Sequence, residues 1–460
     1  MKLFDTICSI STPVGTGGIA VIRVSGEKSF EICEKIFKSE FNKTISQMSG
    51  YTIALGNIYD NDGHVIDQVL LSKFINPNSF TGENVIEISC HGGMAVARMI
   101  LKELIKAGAR LAENGEFSKR AFLNGKIDLS QAEAIIDIIN ANDEYNVYSG
   151  ENQLQGKLSK KINLIRDKLI EATANIIAVI DYPEEDIDEM AIEDIINLLK
   201  TSSEDIASLI KTYNTGKIIK EGAKIVIAGK PNVGKSSLLN ALLKDDRAIV
   251  TDIAGTTRDT LEETINIDGL KACITDTAGI RKSDDIVEAL GIEKAYEKIH
   301  ESDLVLFIID TSTELSKEDF AIAEIINDKP VFIILNKSDI SKDTDISPLK
   351  KIFNKARYFS ISAKELTGIN ELTQQIKETI LNGEINIKED VYITNERHFE
   401  KLTSALSHIQ KAITDLSIGV FPDIVSIEIE NAISALGEIT GMTVSEEIIG
   451  NIFSRFCLGK

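Results

Sequence analysis

A glycine-rich segment in the second half of the chain has the residue types that hold phosphate groups. Residues Gly229–Ser236 read GKPNVGKS and fit the pattern GxxxxGK[ST]. In such a loop the glycines let backbone N–H groups surround the phosphates, and Lys235 neutralises charge on the β and γ groups. The Ser236 hydroxyl is suited to bind Mg²⁺. The segment therefore predicts a magnesium-dependent nucleotide site, with Lys235 as a catalytic residue.

Three later motifs decide which nucleotide would bind. Asp276–Gly279 (DTAG) offers an aspartate for water-mediated magnesium binding and Gly279 for the γ-phosphate. Asn336–Asp339 (NKSD) ends in a carboxylate that can accept from both N1–H and the 2-amino group of guanine. Ser362–Lys364 (SAK) would close over the base. Any one of them could be a surface turn, but four motifs in this order indicate a nucleotide site. Asn336 and Asp339 favour GTP over ATP.

The segment Thr251–Asp259 lies between the first two motifs and is typical of a first switch. Thr257 is the expected magnesium ligand there, and Thr256 is the alternative. Ile280 follows DTAG, at the position where Ras-like enzymes carry a glutamine that orients the attacking water. Because isoleucine cannot do this, another group must orient the water, and the acidic segment 281–288 could supply it. The expected GTP contacts are Asn232, Val233, Gly234, Lys235, Ser236, Ser237, Thr251, Asp252, Ile253, Ala254, Gly255, Thr256, Thr257, Asp276, Thr277, Ala278, Gly279, Asn336, Lys337, Asp339, Ser362, Ala363 and Lys364.

The elements that must position these motifs are predicted strands of a parallel sheet. Each motif follows an apolar run (224–228, 271–275, 331–335 and 359–361), and helical patterns lie between the runs. Such alternation is typical of a doubly wound, mainly parallel sheet, which binds ligands at the carboxyl ends of its strands. We therefore predict a Ras-like P-loop G domain.

The rest of the chain has two other residue patterns, one rich in predicted strands and one helical. Residues up to about 120 combine β-rich runs with glycine turns and one helical stretch near 95–107, which predicts an α/β domain. From Asp128 the pattern is helical, with Ser130 and Glu133 expected to form a capping box, and helical texture returns after about Glu396. An α/β domain inserted into a helical one explains this order. The expected divisions are 1–120, 121–221, 222–382 and 383–460.

Composition narrows the function classes. The formal net charge of −21 argues against non-specific nucleic-acid binding. No apolar run reaches the roughly 18 residues of a membrane span, and the first residues do not resemble a signal peptide, so we expect a cytosolic protein. The five scattered cysteines form no CxxC pair, and we expect reduced thiols rather than disulfides or a zinc site.

Motifs along the whole chain resemble the MnmE (TrmE) family of tRNA-modification GTPases. They are Asp5–Ile7, Gly15–Gly18, Ile22–Gly26, Asn78–Glu83, His91–Gly93, Gly115–Ser118, Arg120–Asn124, Asp128–Ala134, the four G motifs and the terminal Phe456–Lys460. The resemblance implies an N-terminal folate-binding-like α/β domain that also dimerises, a discontinuous helical domain and the inserted G domain. It further implies a heterotetramer with the flavoprotein MnmG. That complex adds an aminomethyl or carboxymethylaminomethyl group to C5 of the wobble uridine of tRNA.

The resemblance also implies cofactor sites. K⁺ would be held by Asn232, Thr251, Ile253 and Thr256, although Asn232 could simply stabilise the loop. Glu288 corresponds to the family's water-positioning glutamate; without the family it is an ordinary acidic residue at a helix start.

A tetrahydrofolate derivative (5-formyl- or 5,10-methylene-) would contact Arg23, Glu87, Lys126 and Lys460. From sequence alone, Glu87 is better explained by a salt bridge. Cys457 is a possible functional residue, with tail packing as the plainer explanation. The alternative function is an Era-like regulatory or ribosome-assembly GTPase, which would lack the N-terminal domain and the Cys-Leu-Gly-Lys end.

Overall fold

A computed structural model describes residues 5–41, 43–181, 189–245, 262–267, 269–276, 297–326, 329–340, 344–381, 387, 389–457 and 459. The strands in chain order are β1 Ile7–Ile10, β2 Ile19–Ser25, β3 Phe37–Ser39, β4 Thr52–Tyr59, β5 Val65–Phe74, β6 Val85–His91, β7 Arg110–Leu111, β8 Ala223–Ala228, β9 Glu262–Ile267, β10 Leu270–Asp276, β11 Leu304–Asp310, β12 Val331–Asn336 and β13 Arg357–Ser360. The named helices are α1 Ser29–Glu34, α2 Met94–Ala107, α3 Glu116–Leu123, α4 Leu129–Ile139, α5 Glu144–Leu154, α6 Lys157–Asp181, α7 Glu189–Lys211, α8 Tyr213–Glu221, α9 Lys235–Asp245, α10 Lys317–Ile326, α11 Ser347–Ile352, α12 Ile369–Ile380, α13 Glu396–Ser417, α14 Pro422–Thr440 and α15 Glu446–Ser454.

The chain divides into two compact units. The first contains Met1–Ile136, Gln153–Leu199 and His408–Lys460; the second contains Asp137–Asn152 and Lys200–Ser407. In the described part of the chain, no helix is long and apolar enough to cross a membrane.

The first unit contains a seven-stranded sheet in the order β3-β4-β5-β6-β2-β1-β7. Its pairings are antiparallel except for the parallel pair of β1 and β7. Ile22 and Val24 of β2 are fully buried in one core with Ile100 and Leu104 of α2. Because side chains alternate along a strand, Arg23 lies on the other face, directly opposite Glu87 of β6.

The start of α4 corrects one prediction about capping. Asp128 Oδ1 accepts from the backbone N–H of Gln131, and Gln131 Oε1 accepts from the backbone N–H of Asp128, both at 2.9 Å. The capping box is therefore Asp128 with Gln131, and the predicted pair of Ser130 and Glu133 was wrong. Ser130 lies inside the first turn, where its hydroxyl donates to Asp128 Oδ1 at 2.8 Å.

The second unit contains a six-stranded sheet in the order β13-β12-β11-β8-β10-β9. All neighbours are parallel except β9, which is antiparallel to β10. The central β11 is buried along its whole length. This is the predicted doubly wound, mainly parallel sheet, and each predicted strand that precedes a motif is present.

All five cysteines are free, as expected. Cys8, Cys33 and Cys90 are buried, Cys273 is half-buried and Cys457 is exposed. Burial raises the pKa of the Cys8 thiol to about 12. The buried thiols are therefore inert core residues at neutral pH.

Candidate functional site

The phosphate-binding loop connects β8 to α9 and includes residues with left-handed backbone. Asn232 has φ 63° and Gly234 has φ 103°. Asparagine tolerates this conformation better than most residues. A Cβ on Gly234 would lie 2.3 Å from Asn336 Nδ2, so only glycine fits there. The loop leads into the N-terminus of α9, where free N–H groups and the helix dipole favour anions.

Lys235, the first residue of α9, is directed back into the loop. Its side chain is buried, and Nζ donates to the backbone carbonyls of Gly229 at 2.7 Å and Lys230 at 2.9 Å. The ammonium group therefore lies inside the loop, where phosphate oxygens would replace carbonyls as acceptors.

Asn336 joins three of the predicted motifs. Its Nδ2 donates to the Val233 carbonyl at 2.8 Å, and its Oδ1 accepts from the Ala363 N–H at 3.1 Å. The side chain is 2% exposed. One buried amide thus fixes the phosphate loop, the NKSD segment and the SAK segment relative to each other.

Lys337 contacts the phosphate loop from the other side. It has φ 66°, and its Nζ donates to the Asn232 carbonyl at 3.1 Å and to Asp310 Oδ2 at 2.5 Å. Burial acts to raise the pKa of Asp310, but bonds from Lys337 and Ser312 outweigh it and lower that pKa. The sequence analysis did not predict a role for Asp310. The feature that could have indicated one is a carboxylate at the end of an otherwise apolar strand.

Asp339 is held as a carboxylate that accepts hydrogen bonds. Its Oδ1 accepts from the hydroxyl of the buried Ser362 at 2.7 Å, and this bond lowers the pKa of Asp339. Ser362 Oγ also accepts from the Glu365 N–H at 3.2 Å. The serine of the SAK segment therefore orients the group expected to recognise guanine, while the Lys364 side chain is largely exposed.

Several predicted site residues lie outside the described part of the chain: Thr251, Asp252, Ile253, Ala254, Gly255, Thr256, Thr257, Thr277, Ala278, Gly279, Glu288 and Lys460. Asp276 is the last residue of β10, in register with Ile227 of β8. Ser236 and Ser237 are exposed in the first turn of α9, and Asn232 is exposed in the loop. Hydroxyl and amide oxygens are suitable ligands for hard cations.

The first unit holds the residues expected to contact folate. Arg23 Nε donates to Glu87 Oε1 at 2.8 Å, and the guanidinium carbon lies 5.0 Å from the ring centre of Phe80 and 5.6 Å from that of Phe117. The salt bridge expected for Glu87 is therefore present. The Lys126 side chain passes close to Gly82.

The C-terminal tail reaches the end of β1 in the same unit. Ser11 Oγ donates to the Gly459 carbonyl at 3.0 Å. A Cβ on Gly459 would lie 2.2 Å from the Ile10 carbonyl oxygen. Gly459, with φ 93°, therefore permits a close approach that another residue would prevent.

A buried charge network in this unit was not predicted. Arg120 is 2% exposed and binds three carboxylates, of Asp5 at 2.6 Å, Glu83 at 3.1 Å and Glu116 at 2.9 Å. Arg110 also binds Asp5 and Glu116. Burial acts to raise the pKa values of Asp5 and Glu116, but their bonds to the arginines outweigh it and lower both. The N-terminal family motifs contain Asp5, Glu83 and Glu116, and these charged residues could have indicated the network, since all three bind Arg120.

Comparison with known proteins supplies the family. One sequence profile, described as the GTP-binding protein TrmE N-terminus, matches residues 6–126, and another, the MnmE helical domain, matches residues 129–457. The tRNA modification GTPase MnmE of Acetivibrio thermocellus is 47% identical over 457 residues, which cover 99% of both chains. The chain belongs to the MnmE family of tRNA modification GTPases. Membership confirms the resemblance seen in the motifs and the prediction of a GTPase.

A second full-length relative gives the same result. MnmE of Thermoanaerobacter sp. strain X514 is 44% identical over 459 residues, 100% of both chains. Among solved structures, Aquifex aeolicus Era bound to GDP.AlF4− has 28% sequence identity to this protein, and the match covers 40% of this chain and 65% of the Era chain with a TM-score of 0.29. Assignment to the MnmE family therefore rests on the full-length relatives.

Proposed function

We propose that the protein is a K⁺-stimulated, Mg²⁺-dependent GTP hydrolase that modifies tRNA together with the flavoprotein MnmG. The complex adds an aminomethyl or carboxymethylaminomethyl group to C5 of the wobble uridine, with the carbon supplied by a tetrahydrofolate derivative. The observation that carries the nucleotide site is Asn336, whose two hydrogen bonds bring the phosphate loop and the guanine-recognition segments together.

In this proposal each residue of the nucleotide site has a defined role. The α9 N-terminus and Lys235 bind phosphates, and Asp339 selects guanine by accepting two hydrogen bonds. Ser236 with Thr257 would hold Mg²⁺, and Asn232 with Thr251, Ile253 and Thr256 would hold K⁺. K⁺ beside the β/γ bridge would supply the positive charge that an arginine finger brings elsewhere. Glu288 is assigned to orient the attacking water.

For the folate site, Arg23 and Glu87 offer opposite charges beside two aromatic rings. A pterin presents an amide and an amino group that a carboxylate can accept as a pair, and its glutamate tail suits Lys126 and Lys460. Bound folate would supply the one-carbon unit, and these residues would bind and orient it. Cys457 is exposed and stays a possible functional residue.

The remaining proposals concern assembly. The net charge of −21 favours an arrangement in which MnmG provides most of the tRNA contact. We also propose a homodimer formed through the N-terminal domain, a heterotetramer with MnmG, a cytoplasmic location and domain divisions at 1–120, 121–221, 222–382 and 383–460. The Era-like alternative is less favoured because the family match includes the N-terminal segment and extends to residue 457.

The test is equilibrium binding of 5-formyltetrahydrofolate to the purified protein, to an Arg23→Ala variant and to a variant without Lys460. Arg98→Ala is a matched control, since Arg98 is exposed on α2 of the same unit. We expect both site variants to lose binding, with the control unchanged and GTP hydrolysis intact in all. Absence of folate binding in a folded, GTP-hydrolysing wild-type protein would reject the one-carbon role and leave the regulatory alternative.

A further inference from the structure

A buried carboxylate on α10 is bonded to the phosphate loop at a position that the loop motif leaves open. Asp319 is 0% exposed, and its Oδ2 accepts from Lys230 Nζ at 2.7 Å. Lys230 is the second residue of the loop, and its side chain is only 17% exposed. The pair joins residues 89 positions apart in the chain.

The surroundings of Asp319 explain why the lysine is needed. Its Oδ2 also accepts from the backbone N–H and the hydroxyl of Ser316, each at 2.8 Å, while its Oδ1 has no partner among the described residues. The Ser316 donors are neutral, so Lys230 is the cation among the donors to this oxygen. Burying a carboxylate costs free energy, and an ion pair with a lysine offsets much of that cost.

Lys230 is in turn connected to the phosphate-binding lysine. The Lys230 backbone carbonyl accepts from Lys235 Nζ at 2.9 Å, beside the bond to Gly229. Between these two lysines the loop passes through the left-handed conformations of Asn232 and Gly234. At a non-glycine residue such as Asn232, this conformation costs free energy and persists only where surrounding contacts compensate for that cost. The ion pair to Asp319 is a contact that fixes the first part of the loop.

We propose that Asp319 is a positioning residue for GTP hydrolysis, which acts through Lys230 to hold the phosphate loop and the Lys235 ammonium group in place. This inference rests on the proposed binding of GTP at this loop. It implies a defect that depends on phosphates: affinity for GDP and GTP falls when the pair is broken, whereas affinity for GMP falls less.

The experiment compares five variants with the wild type, one of which is the double variant Asp319→Asn/Lys230→Met. Asp319→Asn keeps the side-chain shape without the charge, Lys230→Met removes the cation, and Lys230→Arg keeps it. Glu318→Gln is the control, because Glu318 is an exposed carboxylate next to Asp319 on α10. Dissociation constants for GDP and GMP, and kcat and KM for GTP, are measured in Mg²⁺ and K⁺.

We expect Asp319→Asn and Lys230→Met each to raise the GDP dissociation constant about tenfold and to lower kcat/KM for GTP by a similar factor. The double variant should be no worse than the more severe single one, because both remove the same interaction. Lys230→Arg should stay within about threefold of the wild type, and Glu318→Gln should match it. A merely structural role would lower the folded fraction without changing KM or the ratio of GDP to GMP affinity.

Two results would overturn the inference. One is a folded Asp319→Asn variant with wild-type GDP affinity and kcat/KM. If that variant does not fold, wild-type values for Lys230→Met have the same consequence. Failure of the wild-type protein itself to bind GDP would instead reject the nucleotide site in the proposed function.

Discussion

The substitution Asn336→Asp tests whether one buried amide holds the nucleotide motifs together. The change preserves size and keeps an oxygen to accept from the Ala363 N–H, but it replaces the donor that faces the Val233 carbonyl at 2.8 Å. Two acceptors would then face each other in a site where the side chain is 2% exposed. The substitution therefore removes one hydrogen bond selectively and places a charge in the same position.

The magnitude follows from two effects. Leaving the Val233 carbonyl without its buried donor costs about 1–3 kcal/mol. An unpaired carboxylate adds a desolvation cost, so the free energy of unfolding should fall by about 3–5 kcal/mol at neutral pH. For a unit of roughly 200 residues, this lowers the melting temperature by about 6–20 °C.

The pH dependence gives the sharper test. Burial raises the pKa of the introduced carboxyl above the unfolded value of about 3.9, so its penalty is greatest when it is ionised. Below its folded pKa the group is protonated and can donate to the Val233 carbonyl, so the variant should recover stability relative to the wild type between about pH 7.5 and 5.

The assay is thermal unfolding without nucleotide, followed by circular dichroism at pH 7.5 and 5.5. Asn370→Asp is the matched control, because Asn370 is exposed in the first turn of α12, where a negative charge is harmless or mildly favourable. An Asn336→Asp variant as stable as the control, with no dependence on pH, would refute the assignment of the Val233 bond.

Three further perturbations test other parts of the molecule. Asp339→Asn should weaken GTP binding at least about tenfold and improve binding of xanthosine triphosphate, whose C2 oxygen accepts from an amide; competition binding measures both. Glu116→Gln should lower the free energy of unfolding by about 2–3 kcal/mol, measured with urea at pH 7. Burial acts to raise the pKa of Glu116, but its bonds to Arg110 and Arg120 outweigh this effect and lower that pKa. The ionised carboxylate therefore stabilises the wild type above the ordinary pKa of 4.5, and this stabilisation is lost as the pH falls further. The stabilities of the variant and the wild type should therefore converge in acid. Gly459→Ala should displace the tail and weaken folate binding in the same titration as the removal of Lys460, while GTPase activity stays unchanged; unaltered folate binding would count against a role for the tail.

Local patterns predicted the sheet of the second unit well. The apolar runs that precede the four motifs are β8, β10, β12 and β13, each within about two residues of its predicted bounds. These elements were predictable because alternation of strand and helix is a local signal. The bounds of the capping box were harder, because Asp128 and Ser130 are both acceptable capping residues and only the observed bonds identify Asp128.

Contacts distant in sequence were not predictable from spacing. Arg120 meets Asp5 across 115 positions, and Lys337 meets Asp310 across 27. Neither pair has a fixed periodicity, since the fold that brings the partners together is set by the apolar core. The motifs indicated that these charged residues matter, but only the structure shows which charges compensate each other.

The segment β11–α10 shows how topology supplies residues that no motif records. In the sheet, β11 lies between β8 and β12, whose carboxyl ends begin the phosphate loop and the NKSD segment. A carboxylate at the end of β11 can therefore reach both, and Asp310 binds Lys337, which in turn binds the Asn232 carbonyl. Asp319, on the helix that follows, binds the other side of the loop through Lys230. Both acidic residues occupy positions dictated by strand order rather than by the nucleotide consensus, so variation at either should alter how firmly the loop is held without changing which base is recognised.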